Sequence, residues 1–72
     1  MIMYKFKFRL NEIRKFKCIS QKRLAYLSEI SQSHISELER GTQSPTLKTV
    51  ENLAHALKTH PSDLLEVEDK KH

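Results

Sequence analysis

The stretch that most constrains the fold is residues 20–41, which predict two short helices joined by a tight turn. Ser20 and Ser31 stand where helix N-caps belong, because a serine hydroxyl accepts a backbone N–H of the first turn. Gly41 is typical of the left-handed residue that ends a helix. Apolar residues that can face a core recur between these signals: Leu24, Ala25, Ile30, Ile35 and Leu38. We predict helices over residues 21–28 and 32–40, with the turn at Glu29 and Ile30.

The flanking sequence predicts three more helical segments, over residues 9–17, over residues 46–57, and from His60 onward. The segment 46–57 carries an apolar stripe at steps of three and four: Leu47, Val50, Leu53, Ala54 and Leu57. Phe16 would lie half exposed, or packed on a neighbour, near the end of the first helix.

Residues 1–8 alternate in polarity, which predicts a short strand because aromatic residues favour strands and the period is two. A lone strand is not stable, so it needs a partner. We expect that partner in the C-terminal segment, residues 64–68, or in the same segment of a second subunit. Residues 66–72 are expected to form a frayed, charged tail.

Size and composition exclude several classes of protein. At 72 residues the chain forms one small domain. Cys18 is the only cysteine, so disulfides and thiolate zinc sites are excluded, and the four histidines show no metal-binding spacing. We expect no cofactor, no metal and no enzymatic activity. No apolar run approaches the roughly 20 residues of a membrane span, and no signal peptide is indicated. The expectation is a cytoplasmic protein without a membrane partner.

Positive charge is concentrated at the start of the chain. The net charge is +4, but residues 1–23 hold eight basic residues and one acidic residue, whereas residues 24–72 hold five and eight. A basic half indicates an anionic partner, with nucleic acid first among the candidates. A solvated basic face is the alternative that charge alone leaves open.

The segment 32–40 carries small or amide-bearing side chains away from its apolar positions. Such groups can enter the major groove of DNA and pair with base edges: glutamine with adenine, serine with either partner, and a carboxylate with the cytosine amino group. Free backbone N–H groups at the starts of the second and fourth helices suit phosphate.

Several short motifs together resemble the phage repressor and Cro type of helix-turn-helix, the Xre family, over residues 10–65. They are Ile19-Ser20-Gln21, Leu24-Ala25, Ile30-Ser31, Ile35-Ser36, Leu38-Glu39-Arg40-Gly41, Pro45-Thr46-Leu47 and Ala54-His55-Ala56-Leu57. The resemblance implies an all-α, compact five-helix, repressor-like DNA-binding domain, and the alternation of residues 1–8 adds a short N-terminal strand. We therefore divide the chain into an N-terminal extension (1–8), the domain (9–65, helix-turn-helix 21–40) and the tail (66–72).

The resemblance also implies which residues contact DNA. Gln21 would bind a phosphate and support the recognition helix. The base-reading positions are Gln32, Ser33 and Glu37, and the positions near the DNA backbone are Ser36, Arg40 and Thr42. Beyond these positions, phosphate attraction is expected from Lys22, Arg23 and Lys48, from the start of the fourth helix at Thr46, and from the N-terminal segment, with His34 at the rim. Arg14 and Glu39 would form a structural ion pair. Glycines that are usual in the family are replaced by Cys18, Glu29 and Lys58, and Glu37 and Glu39 make the recognition helix unusually acidic.

We therefore expect a sequence-specific, double-stranded DNA-binding transcriptional regulator, in particular a repressor that binds a pseudo-palindromic operator as a homodimer. The alternative is an antitoxin-type or other interaction module, in which a terminal segment binds a toxin or another regulator. A fold that has lost DNA binding is the third reading, since the two acids on the recognition helix allow it.

Overall fold

The computed structural model describes the backbone of residues 3–70 and the side chains of residues 7–66. Along the chain a strand is followed by five helices and a second strand. The elements are β1 (Met3–Phe8), α1 (Leu10–Phe16), α2 (Gln21–Ser28), α3 (Gln32–Arg40), α4 (Leu47–Ala56), α5 (Pro61–Leu64) and β2 (Leu65–Lys70).

The helix-turn-helix has the bounds that its capping residues predict. The Ser20 hydroxyl accepts the Arg23 N–H at 3.0 Å, and the Ser31 hydroxyl accepts the His34 N–H at 3.1 Å. Gly41 ends α3 in the left-handed region, at φ 80°. Because each of these signals lies within four residues of the helix end that it sets, local sequence was sufficient to locate both helices.

An apolar core joins α1–α5. Its buried members are Leu10, Leu24, Ile35, Leu38, Val50, Leu53, Ala54, Leu57 and Leu64. Ile13, Ala25 and Ile30 are half-buried against this cluster. Every helix contributes, so α2 and α3 are held by the whole domain and not only by each other.

Two apolar residues lie outside this core, contrary to the sequence interpretation. Leu47, assigned to the stripe of the fourth helix, is 81% exposed because it is the first residue of α4 and lies beyond the edge of the core. Phe16, expected to be half exposed or packed on a neighbour, is 84% exposed at the last position of α1.

The two ends of the chain form an antiparallel ribbon. β1 pairs with β2 in a register that places Met3 opposite Lys70 and Phe8 opposite Leu65. The strand predicted at the N-terminus is therefore present, and it pairs with the C-terminal segment of its own chain. Residues 66–70, expected as part of a frayed tail, form the second strand instead, because β1 supplies the backbone partners. Residues 1, 2, 71 and 72 lie outside the described part of the chain.

Between residues 3 and 70, three non-glycine residues have left-handed backbone: Cys18 (φ 58°), Glu29 (φ 61°) and Lys58 (φ 55°). These are the three positions at which the family resemblance expects glycine. Each ends or follows a helix, where the chain must change direction within one or two residues. A side chain at such a position costs roughly 1–2 kcal/mol relative to ordinary helical geometry.

Within the described residues, none of the helices combines the length and the apolar character that crossing a bilayer requires.

Candidate nucleic-acid interface

A polar cluster around Glu39 fixes α3 to the two helices before it. Arg14 Nε lies 2.6 Å from Glu39 Oε2, and Arg14 Nη2 lies 3.2 Å from Glu39 Oε1. Asn11 Nδ2 and Gln21 Nε2 each donate to Glu39 Oε1 at 2.9 Å. Donors from α1 and α2 therefore meet one carboxylate on α3.

The Glu39 cluster is nearly closed to solvent, which makes its geometry consequential. The Arg14 side chain is 11% exposed and the Glu39 side chain 5% exposed. Burial by itself would raise the pKa of the Glu39 carboxyl, but the hydrogen bonds from Arg14, Asn11 and Gln21 and the guanidinium charge outweigh it. The pKa of Glu39 is consequently below its ordinary value. Arg14 also donates to the Ile19 carbonyl at 2.8 Å, which ties the connection before α2 to the same cluster.

Two members of this arrangement add to what the sequence indicated. Asn11 was not singled out, although it lies three residues before Arg14 and hence on the same face of α1. That spacing was the only signal for it, and it is shared by many surface residues. Gln21, expected at a phosphate, uses one amide hydrogen on Glu39.

The turn between α2 and α3 is held by Ser28, another residue that the sequence interpretation passed over. Its hydroxyl donates to the Leu24 carbonyl at 2.7 Å and accepts the Ile30 N–H at 3.3 Å. Ser28 is 5% exposed, so its hydroxyl satisfies two backbone groups that water does not reach freely. The left-handed Glu29 that follows is exposed and redirects the chain into α3.

Five polar residues of α3 lie on one face of the helix. Gln32 and Ser33 are exposed in the first turn, Ser36 and Glu37 are half-buried in the second, and Arg40 is exposed in the last. Positions separated by three, four and eight residues share one face of a helix. Together with Gln21 these side chains line one shallow depression of about 390 Å³, which we call the α3 face.

The structure thus brings together six of the side chains that the sequence assigned to DNA: Gln21, Gln32, Ser33, Ser36, Glu37 and Arg40. It does not bring the other six into this depression. They are Lys22, Arg23, His34, Thr42, Thr46 and Lys48.

Three of these six residues, Thr42, Thr46 and Lys48, make contacts elsewhere in the domain. The Thr42 hydroxyl donates to the Glu37 carbonyl at 3.2 Å and so closes the end of α3. Thr46 caps α4, since its hydroxyl accepts the Thr49 N–H at 3.1 Å and donates to the Thr49 hydroxyl at 3.0 Å. Lys48 lines a different depression, beside Glu29 and His55.

Lys22 is exposed in the first turn of α2, whereas His34 is half-buried on α3, two residues from both Gln32 and Ser36. Two residues along a helix turn the side chain by about 200°, so His34 points away from the row that carries Gln32 and Ser36.

The starts of α2 and α4 offer backbone donors. Because Ser20 and Thr46 satisfy the third N–H of each helix, the N–H groups of the first two residues retain no intrahelical acceptor. Partial positive charge at these helix ends favours a phosphate oxygen.

Comparison with known proteins finds a family match over nearly the whole domain. The sequence model of the helix-turn-helix family matches residues 10–64. Among curated proteins, the chain is similar to the control protein C.BamHI of Bacillus amyloliquefaciens, with 38% identity over 48 residues, which is 67% of this chain and 59% of that protein.

A second similar protein is the HTH-type transcriptional regulator DdrOP3 of Deinococcus deserti, 38% identical over 58 residues, which is 81% of this chain and 45% of that protein. The matches therefore span about half the length of these two curated relatives. Among solved structures, the fold is similar to the restriction-modification controller protein C.AhdI of Aeromonas hydrophila, with a TM-score of 0.75 and 39% identity. That match covers 78% of this chain and 85% of the solved chain.

Proposed function

This chain belongs to the helix-turn-helix family, and from that premise we propose that it is a sequence-specific, double-stranded DNA-binding transcriptional regulator. It acts as a homodimer on a pseudo-palindromic operator, as a repressor, with α3 of each copy in the major groove. The observation that carries the proposal is the α3 face, where one row of polar side chains lies on a helix that is anchored from behind by the Glu39 cluster.

The chemistry of the α3 face suits base edges. Gln32 can donate to and accept from adenine, and the Ser33 hydroxyl can serve as donor or acceptor. The Glu37 carboxylate can accept a hydrogen bond from the cytosine amino group. Its negative charge repels phosphate, so it favours a base contact over a backbone contact. Ser33 is short and Glu37 is half-buried, so the positions of these two side chains follow the backbone of α3 closely, whereas Gln32 is exposed.

Phosphate contacts come from around the α3 face. The free N–H groups at the starts of α2 and α4, the second amide hydrogen of Gln21, and the exposed cations Lys22, Arg40 and Lys48 supply them. Thr42 and Thr46 are already engaged in closing α3 and capping α4. They therefore contribute to phosphate binding indirectly, by fixing the backbone at the end of α3 and at the start of α4.

The dimer interface that we propose is the apolar surface around Leu47. Leu47 is 81% exposed, and with Phe8, Pro45 and Leu65 it lines a shallow depression of about 410 Å³. A two-fold axis through this surface would bury Leu47 of both copies against each other. The surface adjoins the start of α4. Leu47→Glu should then shift the chain to monomer in analytical ultracentrifugation without lowering its helical content.

The decisive experiment is selection of bound sequences from a random duplex pool at a stated salt concentration. Gln32→Ala combined with Ser33→Ala should weaken binding to the selected operator and relax the sequence preference at one or two positions, about 1–3 kcal/mol each. Circular dichroism should show unchanged helix.

Lys48→Ala is the matched control, because a phosphate contact has no base preference. It should weaken binding to all duplexes alike and reduce the salt dependence by about one unit of slope. Equal behaviour of the two variants would overturn the assignment of Gln32 and Ser33 to base reading. Failure to enrich any sequence would overturn the proposal itself.

A further inference from the structure

A second depression, of about 560 Å³, lies where the end of α1, the outer side of α2 and the end of α4 meet. Its floor is apolar and consists of Phe16, Ile19, Leu27, Ala56 and Leu57. Its rim is cationic and consists of Lys17, Arg23 and Lys58. We call it the basic groove. It shares no residue with the α3 face.

The basic groove lies on a different side of α2 from the α3 face. Arg23 and Leu27 are one helical turn apart on α2 and so lie in one row. Gln21, which belongs to the α3 face, is two residues from Arg23 and hence about 200° away around the helix. A molecule in the basic groove therefore leaves the α3 face open.

The apolar floor is accessible. Phe16 is 84% exposed and Leu27 is 39% exposed, while Ile19 and Ala56 are half-buried. Tyr26, 75% exposed, extends this apolar area beside Arg23, whose guanidinium carbon lies 5.7 Å from the centre of the Tyr26 ring. Large side chains left in water around a concave surface are typical of sites that bind another protein.

The rim carries charge that the described part of the chain leaves uncompensated. Lys17, Arg23 and Lys58 are all exposed, and none of them forms an ion pair with a described carboxylate. No acidic residue lines the groove. Lys58 adds its charge at a position with φ 55°, where backbone geometry favours glycine.

The positive charge of the rim indicates which kind of molecule binds in the basic groove. A second copy bound across a two-fold axis would place the three cations of one groove against the same three cations of the other. Nucleic acid would satisfy the cations but would leave the exposed Phe16 and Leu27 against phosphate and sugar. A protein segment with carboxylates flanking apolar side chains satisfies both the rim and the floor.

We propose that the basic groove binds an acidic, amphipathic helical segment of a partner protein, and that it does so while the α3 face is on DNA. The chain would then carry a second binding site, by which a DNA-bound copy holds another protein. The basic groove is separate from the α3 face, so this proposal is tested independently of operator recognition.

The test is a selection of peptides from a random library, about 16 residues long to allow four helical turns. The full 72-residue chain serves as the bait, and the enriched peptides are then mapped by amide chemical shifts. The expected peptides combine acidic and apolar residues at helical spacing, and they move the amides of residues 16–27 and 56–58. Adding a duplex of about 20 base pairs, enough for two half-sites, should leave the peptide affinity unchanged.

Charge variants separate a specific site from general attraction. Arg23→Glu and Lys58→Glu should each weaken peptide binding about tenfold, which is the loss of one good charge contact. Lys15→Glu makes the same charge change at an exposed position outside the groove and should leave binding within about twofold. Phe16→Ser should also weaken binding, and it does not touch the core because Phe16 is already exposed.

Several results would overturn the proposal. They are the absence of enriched peptides, enriched peptides without an excess of carboxylates, shifts confined to α3, and equal weakening by Lys15→Glu. If duplex DNA moves the groove amides and Arg23→Glu weakens duplex binding while no peptide is enriched, the groove binds nucleic acid instead. If Phe16→Ser dissociates a dimer in ultracentrifugation, the groove joins two copies of this chain and the proposal is wrong.

Discussion

The helix-turn-helix and the terminal ribbon are held by different kinds of interaction. α3 is fixed by buried apolar anchors and by the Glu39 cluster, whose hydrogen bonds join residues 18, 25 and 28 positions apart in the chain. The ribbon is held by backbone pairing of β1 with β2, and the Arg9 N–H to Leu64 carbonyl hydrogen bond of 2.7 Å joins it to the helices. The difference indicates that the position of α3 depends on a few buried side chains, while the ribbon adds stability to the domain through its backbone hydrogen bonds.

The largest effect that we expect is from Glu39→Ala. It leaves Arg14 mostly buried without its carboxylate, and breaking a buried pair in this way costs about 3–5 kcal/mol. A core of this size supplies only about that much, so the variant should be largely unfolded at room temperature. Urea denaturation followed by circular dichroism measures the loss.

Glu37→Ala is the matched control, because it removes a carboxylate two residues away on the same helix. It should change the free energy of unfolding by no more than about 0.5 kcal/mol. A similar loss in both variants would show that Glu39 is not a special anchor of α3.

The acid dependence of stability should come next. The pKa of Glu39 lies below its ordinary value of 4.5, so the unfolded chain takes up a proton at this residue before the folded chain does. Its contribution is therefore fully present above about pH 4.5 and is lost as the pH falls through the folded pKa. Urea denaturation between about pH 5 and about pH 3 should show this loss.

Glu39→Gln also removes the charge opposite Arg14, so the variant should be less stable than the parent at pH 5, and its stability should change less between about pH 5 and about pH 3 because an amide does not titrate. Glu12, whose pKa is lowered by Lys7 and Arg9, is exposed and keeps its own pH dependence in both proteins. An unchanged slope in Glu39→Gln would contradict the role given to the carboxylate.

Removal of residues 1–7 should cost less. Phe8 and Leu10 remain, so the packing of the core is kept and the loss is a few cross-strand pairs, roughly 1–2 kcal/mol in total. Thermal denaturation measures it, and sedimentation reports any loss of dimer. We expect the operator preference of α3 to be unchanged; a changed preference would show that the ribbon positions the α3 face after all.

The smallest effect concerns the turn. Glu29→Gly removes the strain of a left-handed side chain, offset in part by the greater freedom of glycine in the unfolded chain, for a net gain of roughly 0.5–1 kcal/mol. Glu51→Gly makes the same substitution inside α4 and should cost about 1 kcal/mol. Changes of the same sign in the two variants would mean that Glu29 is not strained.

The sequence predicted only part of the α3 face and of the Glu39 cluster, because some of their contacts join residues that are far apart in the chain. The row of Gln32, Ser33, Ser36 and Glu37 follows from helical spacing, and the structure places these residues on one face. Asn11 and Ser28 gave no comparable signal, because their importance depends on what lies opposite them in space. Leu47 satisfied the apolar spacing of α4 and still lies in solvent, because spacing does not say where the core ends.

By itself the sequence determined the elements whose signals are local. Capping serines, the single glycine and the apolar spacing set α2 and α3 to the residue, because a helix end depends on its own four or five neighbours. Only the tertiary structure decided which distant groups meet. The C-terminal segment pairs with β1, donors from three residues meet at Glu39, and cations surround an apolar floor outside the α3 face. Contacts between distant residues depend on how the helices pack across the core, and no short segment of the sequence contains that information.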